Sequence, residues 1–128
     1  MKYLAIFALF YVAACQSDET VTAYTQGATV FRLVSIDDTA FPASATIDLT
    51  KAGKISGRGP CNSYFADQSV PYPWFDAGPI ASTRMACPAL NLETIFFEAL
   101  GAMTLAETAG RTLILSTDTG REMVFQAP

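Results

Sequence analysis

The first fifteen residues determine which part of this chain is left to fold, because they follow the order of a secretory signal. Lys2 supplies a positive charge, an apolar run continues to Val12, and two alanines precede Cys15. A positive n-region, an apolar h-region and small residues before a cleavage point define such signals. The apolar run is too short to cross the roughly 30 Å hydrocarbon core as a helix. We therefore expect residues 1–14 to be a signal peptide that is removed.

The residues at the expected cleavage point resemble the bacterial lipobox, in which small residues precede an acylated cysteine. By that resemblance Cys15 becomes the first mature residue and carries a diacylglyceryl thioether and an N-acyl chain. Several acyl chains anchor a protein stably where one chain is marginal. Gln16 rather than Asp follows Cys15, which in lipoproteins of the enterobacterial type implies the outer membrane, facing the periplasm. The alternative is an ordinary cleaved signal with an unrelated cysteine.

The rest of the chain divides into a polar stretch and one domain of ordinary size. Residues 16–29 are polar and weakly periodic, which is typical of a flexible tether. We therefore assign residues 15–29 to the lipidated cysteine and its tether, and residues 30–128 to a single folded domain. A domain of that length buries most of its apolar surface without a partner, so we expect a monomer.

The charge balance and the absence of histidine exclude several classes of function. Removing residues 1–14 takes away Lys2 and leaves seven basic and twelve acidic residues. Because phosphate binding needs a clustered excess of Lys and Arg, we expect no nucleic-acid partner and no polybasic attachment to anionic lipid. The chain has no histidine, so neither a Ser-His-Asp triad nor a histidine-containing zinc site can form. We expect a non-enzymatic protein without a metal or a cofactor.

The hydrophobic pattern predicts a mostly β (α+β) fold, with a small curved antiparallel sheet or partly open barrel and one amphipathic helix. Alternation of polar and apolar residues predicts strands over residues 30–34, 46–50, 54–58, 103–107, 111–116 and 121–126. Pro88 suits a first helical position. The apolar residues after it follow 3.6-residue spacing, namely Leu92, Ile95, Phe96, Ala99 and Met103. Glu93 and Glu98 are expected on the opposite, solvent-facing side of that helix.

A proline-rich stretch over residues 70–79 carries three aromatic side chains. Its prolines lack the N–H groups of a sheet ladder, so the stretch is expected to be an edge or a loop. Tyr72, Trp74 and Phe75 form a candidate recognition patch for a glycan or a protein partner. The alternative is that they close one end of the core.

Two linked motifs carry a family resemblance. The first runs from Ile55 to Phe65 as Ile-Ser-Gly-Arg-Gly-Pro-Cys-Asn-Ser-Tyr-Phe, and the second is Thr-Arg-Met-Ala-Cys over residues 83–87. With the helix that follows and a Leu-Ile-Leu hairpin strand over residues 113–115, they resemble the META domain, the HslJ-like family of envelope proteins. The resemblance spans residues 31–125. Pro60 departs from the glycine that is usual before the Cys-Asn pair, and Phe31 stands where Trp is common.

The resemblance implies a structural turn formed by Gly57, Gly59, Asn62, Thr83 and Met85. Glycine permits either a positive φ or a close backbone approach, and asparagine bonds to nearby backbone in turns. Members of the family are linked to heat shock, antibiotic tolerance and secretion rather than to a reaction. The function that the resemblance implies is therefore a stress-related or envelope-integrity role.

Cys61 and Cys87 are the cysteines that remain after lipidation, and an exported domain is in an oxidising compartment. We predict that they form a disulfide, which would stabilise the fold by roughly 3–4 kcal/mol in the chain-entropy model. The alternative is two reduced, buried cysteines that pack as small hydrophobes.

Two classes of function remain at this point. The first is a membrane-tethered module, anchored through Cys15, that binds an envelope protein partner. The second is a carrier that encloses a small apolar ligand in a calycin-like β-barrel. An internal cavity beyond roughly 300 Å³ would favour the carrier, whereas a filled interior would favour the interaction module.

Overall fold

The computed structural model describes residues 17–25 and 30–128. A short 3-10 helix covers Val21–Tyr24, and the α-helix of the described part, α1, covers Leu90–Ala102. The strands are β1 (Val30–Ile36), β2 (Thr39–Ala40), β3 (Thr46–Asp48), β4 (Lys54–Arg58), β5 (Ser63–Asp67), β6 (Ala81–Ser82), β7 (Leu105–Ala109), β8 (Thr112–Ser116) and β9 (Glu122–Gln126).

Within the described residues, these nine strands form one antiparallel sheet. Eight of them follow the order β6-β5-β4-β3-β1-β9-β8-β7, and β2 pairs with β1 beside this path. The two ends of the order, β6 and β7, do not pair with each other, so the sheet is open. The expected mostly β fold with an antiparallel sheet and one helix is confirmed.

The segment between β5 and β6 runs along the free edge of β7. The N–H of Phe75 donates to the carbonyl of Thr104 at 2.9 Å, and the N–H of Ala106 donates to that of Pro73 at 2.8 Å. Trp74 forms an isolated bridge with Leu105 between these two bonds. The proline-rich stretch is therefore a loop that covers a sheet edge, as its missing N–H donors predict.

The turn that follows β1 is attached to the far end of the chain. Both Asp37 and Asp38 have a positive φ there, at 49° and 63°. The Asp37 carboxylate accepts the backbone N–H of Glu122 at 3.0 Å and is in contact with the guanidinium of Arg121 at 3.2 Å. The pKa of Asp37 is lower than its usual value, chiefly because its carboxylate accepts the N–H of Glu122. The hydrogen bond from Arg121 makes a smaller contribution in the same direction. Arg121 also binds Glu98 of α1 at 2.9 Å, so one guanidinium joins turn, strand and helix.

The inner face of the sheet and α1 enclose the core. Its largest buried side chains are Phe31, Ile47, Leu49, Ile55, Tyr64, Phe75, Phe96, Leu100, Met103, Leu113, Leu115 and Phe125. The helix contributes a narrower apolar face than its spacing predicts, because Ile95 is 47% exposed and Leu92 is half-buried. No helix in the described ranges is both long and apolar enough to span a membrane.

The domain includes residues that the sequence assigned to a flexible tether over residues 15–29. Val21 is 1% exposed and belongs to the core, and Thr20 and Thr25 are also buried. The Asp18 carboxylate accepts the N–H and the hydroxyl of Thr20 at 2.9 and 2.6 Å, which orders the chain just before the 3-10 helix. The assignment to a tether is therefore wrong for residues 20–25, because one buried apolar side chain and local hydrogen bonds compensate for a polar composition.

Replacing Val21 by alanine tests this boundary. We expect Val21→Ala to lower the free energy of unfolding by about 1–3 kcal/mol, because it removes buried methyl groups and leaves a cavity. Urea unfolding followed by circular dichroism measures the change. The matched control is Ala23→Ser in the same 3-10 helix, where the side chain is exposed and a change within about 0.5 kcal/mol is expected. Equal effects of the two substitutions would contradict the inclusion of residues 20–25 in the domain.

Candidate functional site

The end of β4 and the turn that follows it need one glycine each, because the backbone lies in close contact with its neighbours at Gly57 in β4 and at Gly59 in the turn. A Cβ atom on Gly57 would overlap the backbone carbonyl of Thr46, and one on Gly59 would come 2.6 Å from Oε1 of Glu93. Neither glycine has a positive φ, so close approach is the role observed. The N–H of Gly59 donates to the carbonyl of Asn62 at 2.7 Å and closes the turn.

The carboxylate of Glu93 lies beneath this turn, in the first turn of α1, and the residue is only 3% exposed. Its Oε1 accepts the backbone N–H of Cys61 at 3.2 Å and that of Asn62 at 2.6 Å, and its Oε2 accepts Nδ2 of Asn62 at 2.6 Å. The expectation that Glu93 faces solvent is therefore wrong. A buried carboxylate is tolerated where N–H donors replace its water, and the positive end of the helix dipole adds to this effect.

Asn62 connects this carboxylate to the second motif and is 2% exposed. Its Oδ1 accepts the hydroxyl of Thr83 at 3.0 Å and the backbone N–H of Met85 at 2.7 Å. Its Nδ2 donates to the carbonyl of Met85 at 3.1 Å as well as to Glu93. The side-chain amide thus makes four hydrogen bonds, two through each polar atom. Of the motif residues that the sequence singled out, Asn62, Thr83 and Met85 are brought together in one network. Gly59 packs against Glu93 beside it, whereas Gly57 packs against Thr46.

This network joins three segments that are distant in the chain. The β4–β5 turn supplies Asn62, the segment after β6 supplies Thr83 and Met85, and α1 supplies Glu93. Each polar side-chain atom of Asn62 and Glu93 has a partner within the protein, and no buried side-chain nitrogen or oxygen of the described residues lacks one. The carboxylate therefore acts here as a structural acceptor that holds the β4–β5 turn against α1.

The predicted disulfide between Cys61 and Cys87 is confirmed. Its two Cα atoms are 5.9 Å apart, a usual separation for bridged cysteines. Cys61 precedes Asn62, and Cys87 lies two residues after Met85, so the bridge fastens covalently the same two segments that the Asn62 amide joins.

Tyr64 extends the network into the core. Its hydroxyl donates to the carbonyl of Thr46 at 2.6 Å, and its ring packs edge-on against Phe96 and Phe97. Burial, with a smaller contribution from Asp48, raises the pKa of Tyr64 well above its usual value. The phenol therefore stays protonated and serves as a hydrogen-bond donor in the sheet.

The candidate recognition patch of Tyr72, Trp74 and Phe75 does not form a single surface. Phe75 is 2% exposed and lies in the core, so its assignment to the patch is wrong. Alternation along an extended segment sends neighbouring side chains to opposite faces, and it leaves Trp74 58% exposed. Tyr72 is half-buried and stacks on Tyr24 with ring centroids 4.1 Å apart.

A groove follows the outer side of α1 next to the Asn62 network. One cavity, of about 350 Å³, has Asn62 and Glu93 of the network among its lining residues, together with Met85, Leu90 and Phe97. A second cavity, of about 740 Å³, contains Ile80 and shares Thr94 and Phe97 with the first. Met85 is 59% exposed and Leu90 is 44% exposed, so the groove presents apolar side chains to solvent.

The groove lies outside a core that large side chains fill, and its polar residues do not form a metal centre. Among residues 17–25 and 30–128, no three His, Cys, Asp or Glu side chains are placed to hold a metal ion. The predicted lipidation site, Cys15, and the predicted signal peptide lie outside the described residues.

A family model described as the META domain matches residues 20–128 of the chain. The comparison of the chain with curated proteins found no significant match. Among solved structures, the fold is similar to the NMR structure of a protein from Burkholderia xenovorans, with 26% identity and a TM-score of 0.66 over 90% of this chain and 93% of that one. It is also similar to a DUF4847 family protein from Bacteroides vulgatus, with 10% identity and a TM-score of 0.60 over 77% and 92% of the two chains.

The importance of the buried carboxylate can be measured by replacing it with its amide. We expect Glu93→Gln to lower the free energy of unfolding by about 2–4 kcal/mol. The substitution places an NH₂ group against N–H donors, and it removes the negative charge that strengthens the hydrogen bonds from those donors. Urea titration measures this. Glu98→Gln, on the exposed side of the same helix, is the matched control and should cost at most about 1 kcal/mol. A Glu93→Gln protein as stable as the control would show that the network contributes little.

The contribution of the disulfide is tested by removing both of its cysteines. Cys61→Ala combined with Cys87→Ala should lower the stability by about 3–4 kcal/mol, because the unfolded chain regains the freedom of an open loop. In the protein without these substitutions, denatured in the absence of a reductant, neither Cys61 nor Cys87 should react with an alkylating reagent. Both should react after reduction. Two reactive thiols before reduction would contradict the bridge.

Proposed function

The chain belongs to the META domain family, and from this premise we propose that it is a non-enzymatic lipoprotein of the cell envelope. In this proposal Cys15 carries the membrane anchor, and the folded domain acts by binding an envelope protein, in a role connected with stress or envelope integrity. The signal-like sequence and the lipobox-like residues before Cys15 support this proposed localisation.

The observation that carries this proposal is that the polar groups of the motif side chains are hydrogen-bonded to other groups of the protein. The amide of Asn62 and the carboxylate of Glu93 are buried, and they bond to each other and to backbone groups. A catalytic acid or base must instead be able to reach a substrate proton. With no histidine in the chain, the arrangement supports a structural role for the motif and a function for the surface.

The packing of the interior favours the interaction module over the carrier. The side chains of Phe31, Tyr64, Phe96 and Phe125, each at most 2% exposed, belong to one core cluster formed by the sheet and α1. The cavities beside α1 lie on the surface and have exposed residues such as Met85 in their walls. A ligand carrier would need comparable space inside the sheet.

The proposal is tested by purifying the full chain from its native envelope in mild detergent and analysing it by native mass spectrometry. We expect a mature protein that lacks residues 1–14 and carries acyl chains on Cys15, in a complex with another protein at a defined stoichiometry. The matched control is Cys15→Ser, which should abolish acylation and release the protein from the membrane fraction.

Three results would contradict the proposal. An unmodified soluble mature form would refute the anchor, because a lipobox cysteine that is processed must gain mass. A small molecule bound to the monomer would favour the carrier. A turnover that Glu93→Gln abolishes without loss of folding would favour an enzyme.

A further inference from the structure

The N-terminal segment of the described chain starts very close to the proposed anchor. Ser17, two residues after Cys15, is already part of the described structure. Two residues span at most about 7 Å when fully extended. The Asp18–Thr20 hydrogen bonds and the buried Val21 then attach the chain to the domain. A membrane that holds acyl chains on Cys15 therefore lies within a short reach of this part of the domain.

This segment lies against the loop that covers the edge of β7. The carbonyl of Glu19 accepts the N–H of Tyr72 at 2.7 Å. The hydroxyl of Thr108, on β7, donates to the carbonyl of Tyr24 at 3.0 Å, and the Tyr24 ring stacks on that of Tyr72. The chain that leads to the anchor and the aromatic loop thus form one surface, which we name the β7 edge and define by Tyr24, Tyr72 and Trp74.

The β7 edge exposes the side chains that favour a membrane interface. Trp74 is 58% exposed and Tyr24 is 45% exposed, although both are large and partly apolar. Trp and Tyr are enriched where lipid headgroups meet hydrocarbon, because their rings combine an apolar body with a polar group. The carboxylates of Glu19 and Glu107 are near the same edge and exposed, so attraction to anionic lipid cannot drive the contact.

We propose that the β7 edge rests in the headgroup region of the membrane that holds Cys15, with Trp74 and Tyr24 in contact with zwitterionic lipid. The inference rests on the lipid anchor of the proposed function. It gives the domain a fixed orientation on the membrane, in which β7 is close to the lipid and the remaining surface faces the periplasm.

The fluorescence of Trp74 tests the inference directly, because it is the only tryptophan of the chain. The acylated protein is reconstituted into phosphatidylcholine vesicles, with or without lipid that carries bromine near the headgroup end of its acyl chains. Bromine quenches tryptophan only on close approach. We expect the brominated vesicles to remove most of the Trp74 emission, and intact mass of the same sample to show the acyl chains.

The control moves the reporter to the other end of the sheet order. Phe65 is 64% exposed on β5, a strand that pairs with β4 and β6 rather than with β7, so the double variant Trp74→Phe with Phe65→Trp places an exposed tryptophan on a strand outside the β7 edge. We expect the emission of this variant to be nearly unaffected by brominated lipid.

Each other outcome overturns the inference in an identifiable way. An acylated, vesicle-bound protein whose Trp74 is not quenched would refute the membrane contact and leave the anchor intact. Equal quenching of the Trp74 and Phe65→Trp reporters would show that the domain has no fixed orientation. A protein without acyl chains would refute the anchor, and the inference would fail with it.

Discussion

The fold depends on one buried carboxylate. Glu93 gathers three N–H donors from the turn between β4 and β5, and without them the charge would lie unsolvated in the interior at a cost of several kcal/mol. The donors in turn need the carboxylate, since a buried N–H without an acceptor is also unfavourable. Gly59 must remain a glycine for the carboxylate to approach. The motif is therefore a set of residues that depend on one another for packing and hydrogen bonding.

Local patterns in the sequence predict most of the sheet but not this interaction. The alternation at β1, β4, β8 and β9 identifies their inner faces, because the side-chain period of a strand is two. The prediction from helical spacing is wrong at Glu93, because helical spacing assigns every charged residue to the solvent side. The donors that reverse this assignment come from a turn 31 residues earlier in the chain. No local periodicity contains that information, whereas the order of the family motifs points to the residues involved.

The same limit explains the errors at the N-terminus and in the aromatic loop. Composition predicts a tether because threonines and acidic residues surround Val21, but one buried side chain and bonds such as that from the Thr20 hydroxyl to the Asp18 carboxylate order the segment. In the loop, three aromatic residues in close sequence suggest one patch. The extended backbone separates them, with Phe75 in the core and Trp74 in solvent. Both segments are positioned by contacts with β7, a strand distant in the chain, since Thr108 donates to Tyr24 and Leu105 bridges Trp74.

The position of β1 in the sheet has a consequence for how the domain is made. β1 lies between β3 and β9, so the first long strand pairs with the last, and Leu33 is opposite Phe125. Until β9 has been synthesised, β1 and β8 each lack a neighbour, and contacts between remote parts of a chain form slowly. An emerging chain therefore stays without the pairing of β1 with β9, and of β8 with β9, until β9 has been made.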